Sequence, residues 1–519
     1  MSGLLLRSGT VHIFDDRLTS ASAIRFRDGR VAEVGDELEP ESEERTIELH
    51  GATVLPGFND AHCHVISIGL TLHETDLSGA GDRSAGLSKL EENAANTDPG
   101  DWVLGFGYDE STWPAGEREY LTRAELDRVT TEHPVAVQRI DGHTMTLNTA
   151  ALDRVHFGGV EHDLRLDEDG EPTGVVVEDA TIRVREETYP DVEKSRAVLE
   201  LALGRAAELG VTSVQDMAGM STPVGAGDPA HAAFHRAWRD GELPVRIGYY
   251  VHADHADELS TLELASGYGD DRLRTLGLKV FADGSIGSQT AKLDGEYADD
   301  SGNAGQFVYD PEELAERMAS AARANQAIAT HAIGTEAIDV VLDAYEAVLD
   351  RYDVDEPRLR IEHVELATDE QIERMADRSV IASMQPNFLQ WSDEGGLYER
   401  RLGEEWLASN NRFRKVLEAG VPLAFGSDTM PFGPLYGIHH AVNADRASQR
   451  LSVEEAIRAY TRGAAYAEFE DHRKGTLEPG MLADAVVLDQ DPFEHPASIA
   501  DIEVLATIVG GEIVYEAAE

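Results

Sequence analysis

The sequence predicts an α/β protein: a (β/α)8 TIM-like barrel with a small β-sandwich formed by both chain termini and an inserted lobe. Three observations carry that prediction. Strand-like and helix-like segments alternate through the middle of the chain, the pattern of parallel strands covered by helices. Both ends are rich in short strands separated by turns. A residue fit for metal or proton chemistry follows several of the middle strands, and the strand C-termini are where such barrels collect their catalytic groups.

These patterns divide the chain. A composite β-domain takes residues 1–56 and 472–519, and the barrel takes 57–471, with a lobe inserted within about 85–200. At the N-terminal end, Val11-His12-Ile13-Phe14, Ala23-Ile24-Arg25-Phe26, Arg30-Val31-Ala32-Glu33-Val34 and Thr46-Ile47-Glu48-Leu49 read as strands, with turns at Asp28-Gly29 and His50-Gly51. Ala52-Thr53-Val54-Leu55 then reads as a buried strand delivering His62-Cys63-His64. Side chains alternate along a strand, so histidines spaced two apart face the same way and can grip one metal ion. Imidazole suits zinc and similar divalent ions. Taken alone, the pair fits chance equally well in a chain with 19 histidines.

The segment 85–200 does not scan as clean βα repeats. Gly170 to Glu178 looks like a hairpin arm and 159–170 is acidic and turn-rich, so a lobe covering the barrel mouth is expected there. Barrel strands are expected at 134–140, 211–216, 246–251, 276–282, 327–331, 358–363, 379–384 and 421–427, besides the first near 52–60. That is nine for eight places, so one of the middle assignments must fail. Asp310-Pro311-Glu312-Glu313 opens a helix with a cap, a first-turn proline and acids at the positive dipole end. Thr368 with Gln371, and Ser452 with Glu455, make capping boxes, and Gly420 closes the helix from about Arg412. Strands return at Asp484–Leu488, Val504–Val509 and Glu512–Tyr515, with Gly510-Gly511 as a tight hairpin.

Hydrophobic content of 42% over 519 residues is ample for a large core. No apolar run reaches the roughly 18 residues of a membrane span. The start of the chain lacks a basic, apolar leader, and the single Cys63 excludes an internal disulfide, so a soluble cytoplasmic protein is expected. Lys+Arg 44 against Asp+Glu 98 gives −54, which disfavours nucleic acid and anionic membrane as partners. Acidity runs along the whole chain while lysine is nearly absent. Such self-repulsion is tolerable where salt screens it, with a Debye length of roughly 3 Å at 1 M, and the expectation is a halophilic cytoplasm. Retention of fold and activity in dilute, chelator-free buffer without added salt would argue against it.

The chemistry sits at strand ends. Ala327-Ile328-Ala329-Thr330 leads into His331, Leu359-Arg360-Ile361-Glu362 into His363, and Pro422 to Ser427 into Asp428. Leu276-Gly277-Leu278 runs into Lys279. Each has a plainer alternative. His331 and His363 would singly read as hydrogen-bonded histidines, Asp428 as a cap for the next helix, and Lys279 as a buried amine beside a structural carboxylate. As a set these alternatives weaken, because all would have to fall at strand ends in this order by accident. Trp113, Phe388, Trp391 and Phe432 are candidates to line an apolar substrate pocket, with core packing the alternative for each. Asn387 follows a predicted strand and is placed to face the site.

The order His-x-His, Lys, His, His, Asp along a barrel resembles the amidohydrolase superfamily, and more closely its YtcJ-like branch of metal-dependent hydrolases, which includes N-substituted formamide deformylases. The resemblance rests on Leu55 to His64, Asp141-Gly142-His143-Thr144 with Asn148 to Leu152, and Lys279 to Ser288. It continues through His331-Ala332-Ile333-Gly334, Glu362-His363, Gly426-Ser427-Asp428 and Gly475 to Asp484. It implies that His62, His64 and Asp428 hold one divalent metal, zinc by preference. It further implies that His331 and His363 hold a second, bridged by Lys279 as a carbamate. One ion or two is left open. Asp428 becomes the general base and His143 a contact to substrate or oxyanion, with a structural histidine bonded to a loop carbonyl as the equal alternative. The implied reaction is hydrolysis of a small-molecule amide-type C–N bond, with a cyclic amide, ester or lactone as the runner-up. A homodimer is one assembly the resemblance allows. A non-catalytic scaffold would have lost at least one of His62, His64, His331, His363 or Asp428, and none is missing.

Overall fold

The structure, a computed structural model, describes residues 3–217, 227–352, 358–429 and 431–518. Eight parallel strands form the barrel in chain order: Phe58–Cys63, Val211–Met217, Arg246–His252, Leu273–Phe281, Ala327–Ala332, Arg360–His363, Ile381–Met384 and Leu423–Phe425. Every one pairs with the next. Between the eighth and the first, the Asp428 amide donates to the His62 carbonyl at 2.8 Å. Gly426 permits this approach, since a Cβ there would overlap the His62 backbone.

Two assignments are corrected. The segment 134–140 is not a barrel strand: Val135–Arg139 pairs with Val103–Tyr108 and Thr144–Leu147 in a separate six-stranded sheet. It is almost wholly buried, as barrel strands are, so its apolar run could not reveal which sheet owned it. The run at 52–55 is likewise not the start of the first barrel strand. Thr53–Pro56 belongs to the terminal sheet, and the chain turns at Gly57, where a Cβ would collide with Thr212, before Phe58 enters the barrel.

Thr53–Pro56 lies between Leu4–His12, which it meets in parallel, and Ala485–Leu488, which it meets antiparallel. Strands from both chain ends therefore share one eight-stranded sheet. Leu4, Leu6, Val11, Ile24, Val54, Val487 and Ile508 pack together beside it. A buried ion pair ties this sheet to the barrel, with Arg246 Nε 2.7 Å and Nη2 2.9 Å from the Asp484 carboxylate.

The six-stranded sheet is inserted between the first and second barrel strands and spans Thr75 to Val177. Its own core includes Leu90, Val103, Tyr108, Leu126 and Val137. Helices Glu178–Thr188 and Val192–Glu208 carry the chain back. The predicted caps at Asp310, Thr368 and Ser452 are present, each side chain accepting from the amide three residues on and each contributing about 1 kcal/mol. No helix among the described residues is long and apolar enough to cross a membrane.

Candidate active site

The first and eighth barrel strands bring His62, His64 and Asp428 together. Asp428 Oδ1 lies 3.5 Å from His62 Nε2 and 3.3 Å from His64 Nε2. One ligating atom from each residue falls within 4.8 Å of the others. Asp428 does not cap the following helix, Pro434–Asn443, which begins at Gly433 without a side-chain cap. Asp428 at φ 48° and His363 at φ 77° both hold left-handed backbone that non-glycine residues rarely adopt. Such strain gathers where function over-determines geometry.

Three buried imidazoles have one ring nitrogen fixed. His62 Nδ1 meets Glu362 Oε2 at 2.6 Å, His363 Nδ1 meets Gln385 Oε1 at 2.8 Å, and His331 Nε2 meets the Gly284 carbonyl at 3.0 Å. Partners of this kind orient a histidine so that its other nitrogen can ligate. The rings cluster, with centroids 4.8 Å apart for His62 and His363 and 4.4 Å for His331 and His363. Burial holds all three well below the ordinary imidazole pKa, so they are neutral, as ligands must be. Burial works against charge on Asp428, but positive charge on the His62, His64 and Lys279 cluster around it more than offsets that and brings its carboxyl below the usual range.

Sequence reasoning missed the residues behind this layer. Glu362 is buried, and Arg360 beside it counters the burial and holds the carboxylate ionised. Arg360 Nη2 also donates to the Ala61 carbonyl at 2.7 Å and Ser383 Oγ at 2.8 Å, lacing the first, sixth and seventh strands together. Asp60, pushed up to about 7 by burial, accepts from the Ser427 and His62 amides at 3.1 Å. Asp60 precedes the His-x-His pair and Glu362 precedes His363, and that adjacency was the available signal. Glu362→Gln should weaken divalent-metal retention about 10- to 100-fold with the fold intact. Unchanged retention in competition with a graded chelator would sink that role.

Lys279 projects from the fourth strand with no accessible surface, and its Nζ meets no hydrogen-bond partner. The structural-carboxylate alternative is thus absent at hydrogen-bonding distance. Asp428 Oδ1 is likewise buried without a hydrogen bond. A buried ammonium or carboxylate oxygen left this way is costly, and both residues line the same cavity as His62, His64, His331 and His363. This donor set suits a divalent cation. Burial pushes the Lys279 pKa down to about 8, despite the nearby charges of Glu362 and Asp428. On the order of one-tenth of the amine is then neutral at pH 7, and the neutral amine is the form that can add carbon dioxide.

The lobe contributes His143, whose ring centroid is 5.4 Å from that of His331. Its Nδ1 meets Glu178 Oε2 at 2.9 Å, so its partner is a carboxylate and not a loop carbonyl. A cavity of about 260 Å³ opens between lobe and barrel mouth, with Ile66, Leu70, Leu104, Phe106 and Met145 as an apolar wall facing His143 and Asp428. A smaller one, of about 40 Å³, adjoins His331 and His363 and is lined by Phe388 and Trp391. Trp113 and Asn387 line neither. Trp113 is spent on the lobe core, its Nε1 donating to the Ala80 carbonyl at 2.8 Å. Asn387 is buried, donating to the Pro431 carbonyl at 2.7 Å and accepting from the Tyr460 hydroxyl at 2.9 Å. Their polar atoms are consumed by the fold. Phe432 packs against the main core.

A family model described as the amidohydrolase family matches residues 45–515. The chain belongs to the amidohydrolase family. This amidohydrolase is 31% identical to the putative amidohydrolase YtcJ of Bacillus subtilis, over 92% of this chain and 91% of the relative. It is 28% identical to the N-substituted formamide deformylase of Arthrobacter pascens, over 99% of both chains. Among solved structures, an uncharacterised metal-dependent hydrolase from Pyrococcus horikoshii matches with a TM-score of 0.75 at 29% identity, over 95% of this chain and 98% of that one.

Proposed function

We propose that this amidohydrolase cleaves a non-peptide amide-type C–N bond, such as that of an N-substituted formamide or N-acyl amine, using metal-activated water. The convergence of His62, His64 and Asp428 within 4.8 Å, beside a cavity with one apolar wall, carries the reading. Likeness to the Arthrobacter pascens deformylase over 99% of both chains supports the substrate class.

His62, His64 and Asp428 would hold one ion, with zinc the natural choice for imidazole and carboxylate ligands. His331 and His363 would hold a second, with the Lys279 carbamate between them. The chemistry a divalent ion would supply there is a water acidified from a pKa of about 15.7 to about 7 and a polarised scissile carbonyl. Asp428 takes the proton of the attacking water, whose oxygen forms a bond to the carbonyl carbon. Asp428 then returns that proton to the nitrogen as the C–N bond breaks, giving an acid and an amine. An amine anion is a poor leaving group, so this return is what separates amide from ester cleavage. His143 faces the carbonyl oxygen from the lobe and donates to the negative charge that builds there.

Metal content per chain, measured by inductively coupled plasma mass spectrometry on protein purified in high salt without chelators, is the first test. Turnover on a panel of formamides, N-acyl amines, hydantoins and lactones is the second. Near two equivalents supports the bridged pair, and near one confines the chemistry to His62, His64 and Asp428. Turnover of lactones or hydantoins alone overturns the acyclic amide reading.

A further inference from the structure

We propose that Glu178 is a positioning residue for His143, clamping the lobe's histidine above the barrel mouth so that Nε2 is the ring nitrogen presented to substrate. The inference rests on the amide-hydrolase reading for His143's task, but its geometry is independent of the substrate. The lobe strands Thr144–Leu147 and Pro172–Val177 run antiparallel with Thr144 opposite Val177, so the next residues, His143 and Glu178, face each other across the sheet end. They join twice. The Glu178 amide donates to the His143 carbonyl at 3.1 Å, and His143 Nδ1 meets Glu178 Oε2 at 2.9 Å.

The other carboxylate oxygen reaches into the barrel. Glu178 Oε1 accepts from Thr290 Oγ1 and, at 3.5 Å, from Ser288 Oγ. Thr290 Oγ1 itself accepts from the Ser285 amide at 3.1 Å and shares a further hydrogen bond with Ser288 Oγ at 2.6 Å. A Cβ on Gly284 would overlap both Thr290 Oγ1 and Glu178 Oε1, and the carbonyl of Gly284 receives His331 Nε2. One short loop after the fourth strand therefore fixes both a ligand histidine of the barrel and, through Glu178, the histidine of the lobe. Glu178 holds φ 41° while doing so, a left-handed conformation that a non-glycine residue keeps only where its surroundings over-determine it. With Nδ1 committed to a buried, anchored carboxylate, the ring keeps one orientation and Nε2 is left for the reacting carbonyl.

The test uses the metal-loaded enzyme and four variants: Glu178→Gln, His143→Ala, both together, and Thr290→Val. The substrates are N-benzylformamide and 4-nitrophenyl acetate. Glu178→Gln should lower kcat about 10- to 100-fold, leaving KM and metal content near wild type. The double variant should be no slower than His143→Ala, because Glu178 acts through that ring. Thr290→Val, which loosens the anchor without touching the pair, should give a smaller fall in kcat of the same kind, and it serves if Glu178→Gln does not fold. A kcat within twofold of wild type, or additive losses in the double variant, would overturn the proposal. Wild-type turnover of the ester alone would sink the amide reading while the variant ratios on the ester still judge Glu178. Imidazole 15N resonances, with His143 assigned by its loss in His143→Ala, give a readout free of any substrate. An unchanged His143 spectrum in Glu178→Gln would also overturn the clamp.

Discussion

Asp428→Asn should retain metal and lose turnover by about 10³-fold, within the range for removing a general acid–base group. Asparagine keeps an oxygen that can ligate beside His62 and His64, so occupancy should fall little. What it cannot do is accept the water's proton and hand it on to nitrogen. The loss should therefore be larger for an amide than for an activated ester, whose leaving group needs no proton. Parallel measurement of kcat and metal content decides it: near-normal turnover removes Asp428 from its role, and loss of all metal makes it a ligand first. Its ionised state, held below the ordinary carboxylate range, is what the role requires at neutral pH.

Lys279→Met should strip the second ion and reduce turnover by orders of magnitude, while the metal-free fold should be as stable as that of the metal-free, uncarbamylated wild type or more so. The sign on stability follows from burial. The Lys279 amine has no accessible surface and no hydrogen-bond partner, so exchanging it for an apolar side chain of similar length removes a desolvation cost. A lysine with a purely structural task would behave oppositely, with lowered melting temperature and unaltered metal. Intact-mass measurement under carbon dioxide supplies the complementary check, since the increment of a carbamate should vanish in the variant. An unchanged metal count in Lys279→Met would confine the chemistry to His62, His64 and Asp428.

What the sequence disclosed was local, and what it hid was long-range. His62 and His64 could be read because a strand's alternation relates neighbours, and Asp428, His331 and His363 because each ends an apolar run. Glu362 could not be given a task the same way. Its partner His62 is 300 residues away, and only closure of the barrel brings the two together. Glu178 was visible as the end of a hairpin arm, but its pairing with His143 depends on strand register across the lobe sheet. The segment 134–140 misled for a physical reason: burial on both faces gives the same apolar run in a lobe sheet as in a barrel. Trp113 and Asn387 were unreadable because a side chain near a mouth and a side chain packed behind one have identical local sequence.

The sheet shared by the two chain ends has a consequence for how this protein comes to exist. Thr53–Pro56 finds the neighbour for its open edge in Ala485–Leu488, nearly the whole chain later. As the polypeptide leaves the ribosome, Thr53–Pro56 keeps that edge unpaired until the whole barrel, which lies between the two strands in the chain, has been made. Exposed edges of this kind invite wrong partners, and pairing so distant in sequence is slow to form. The barrel thus has to be synthesised before the sheet beside it can be completed, and the strand that leads into the barrel is sealed by one that comes after it.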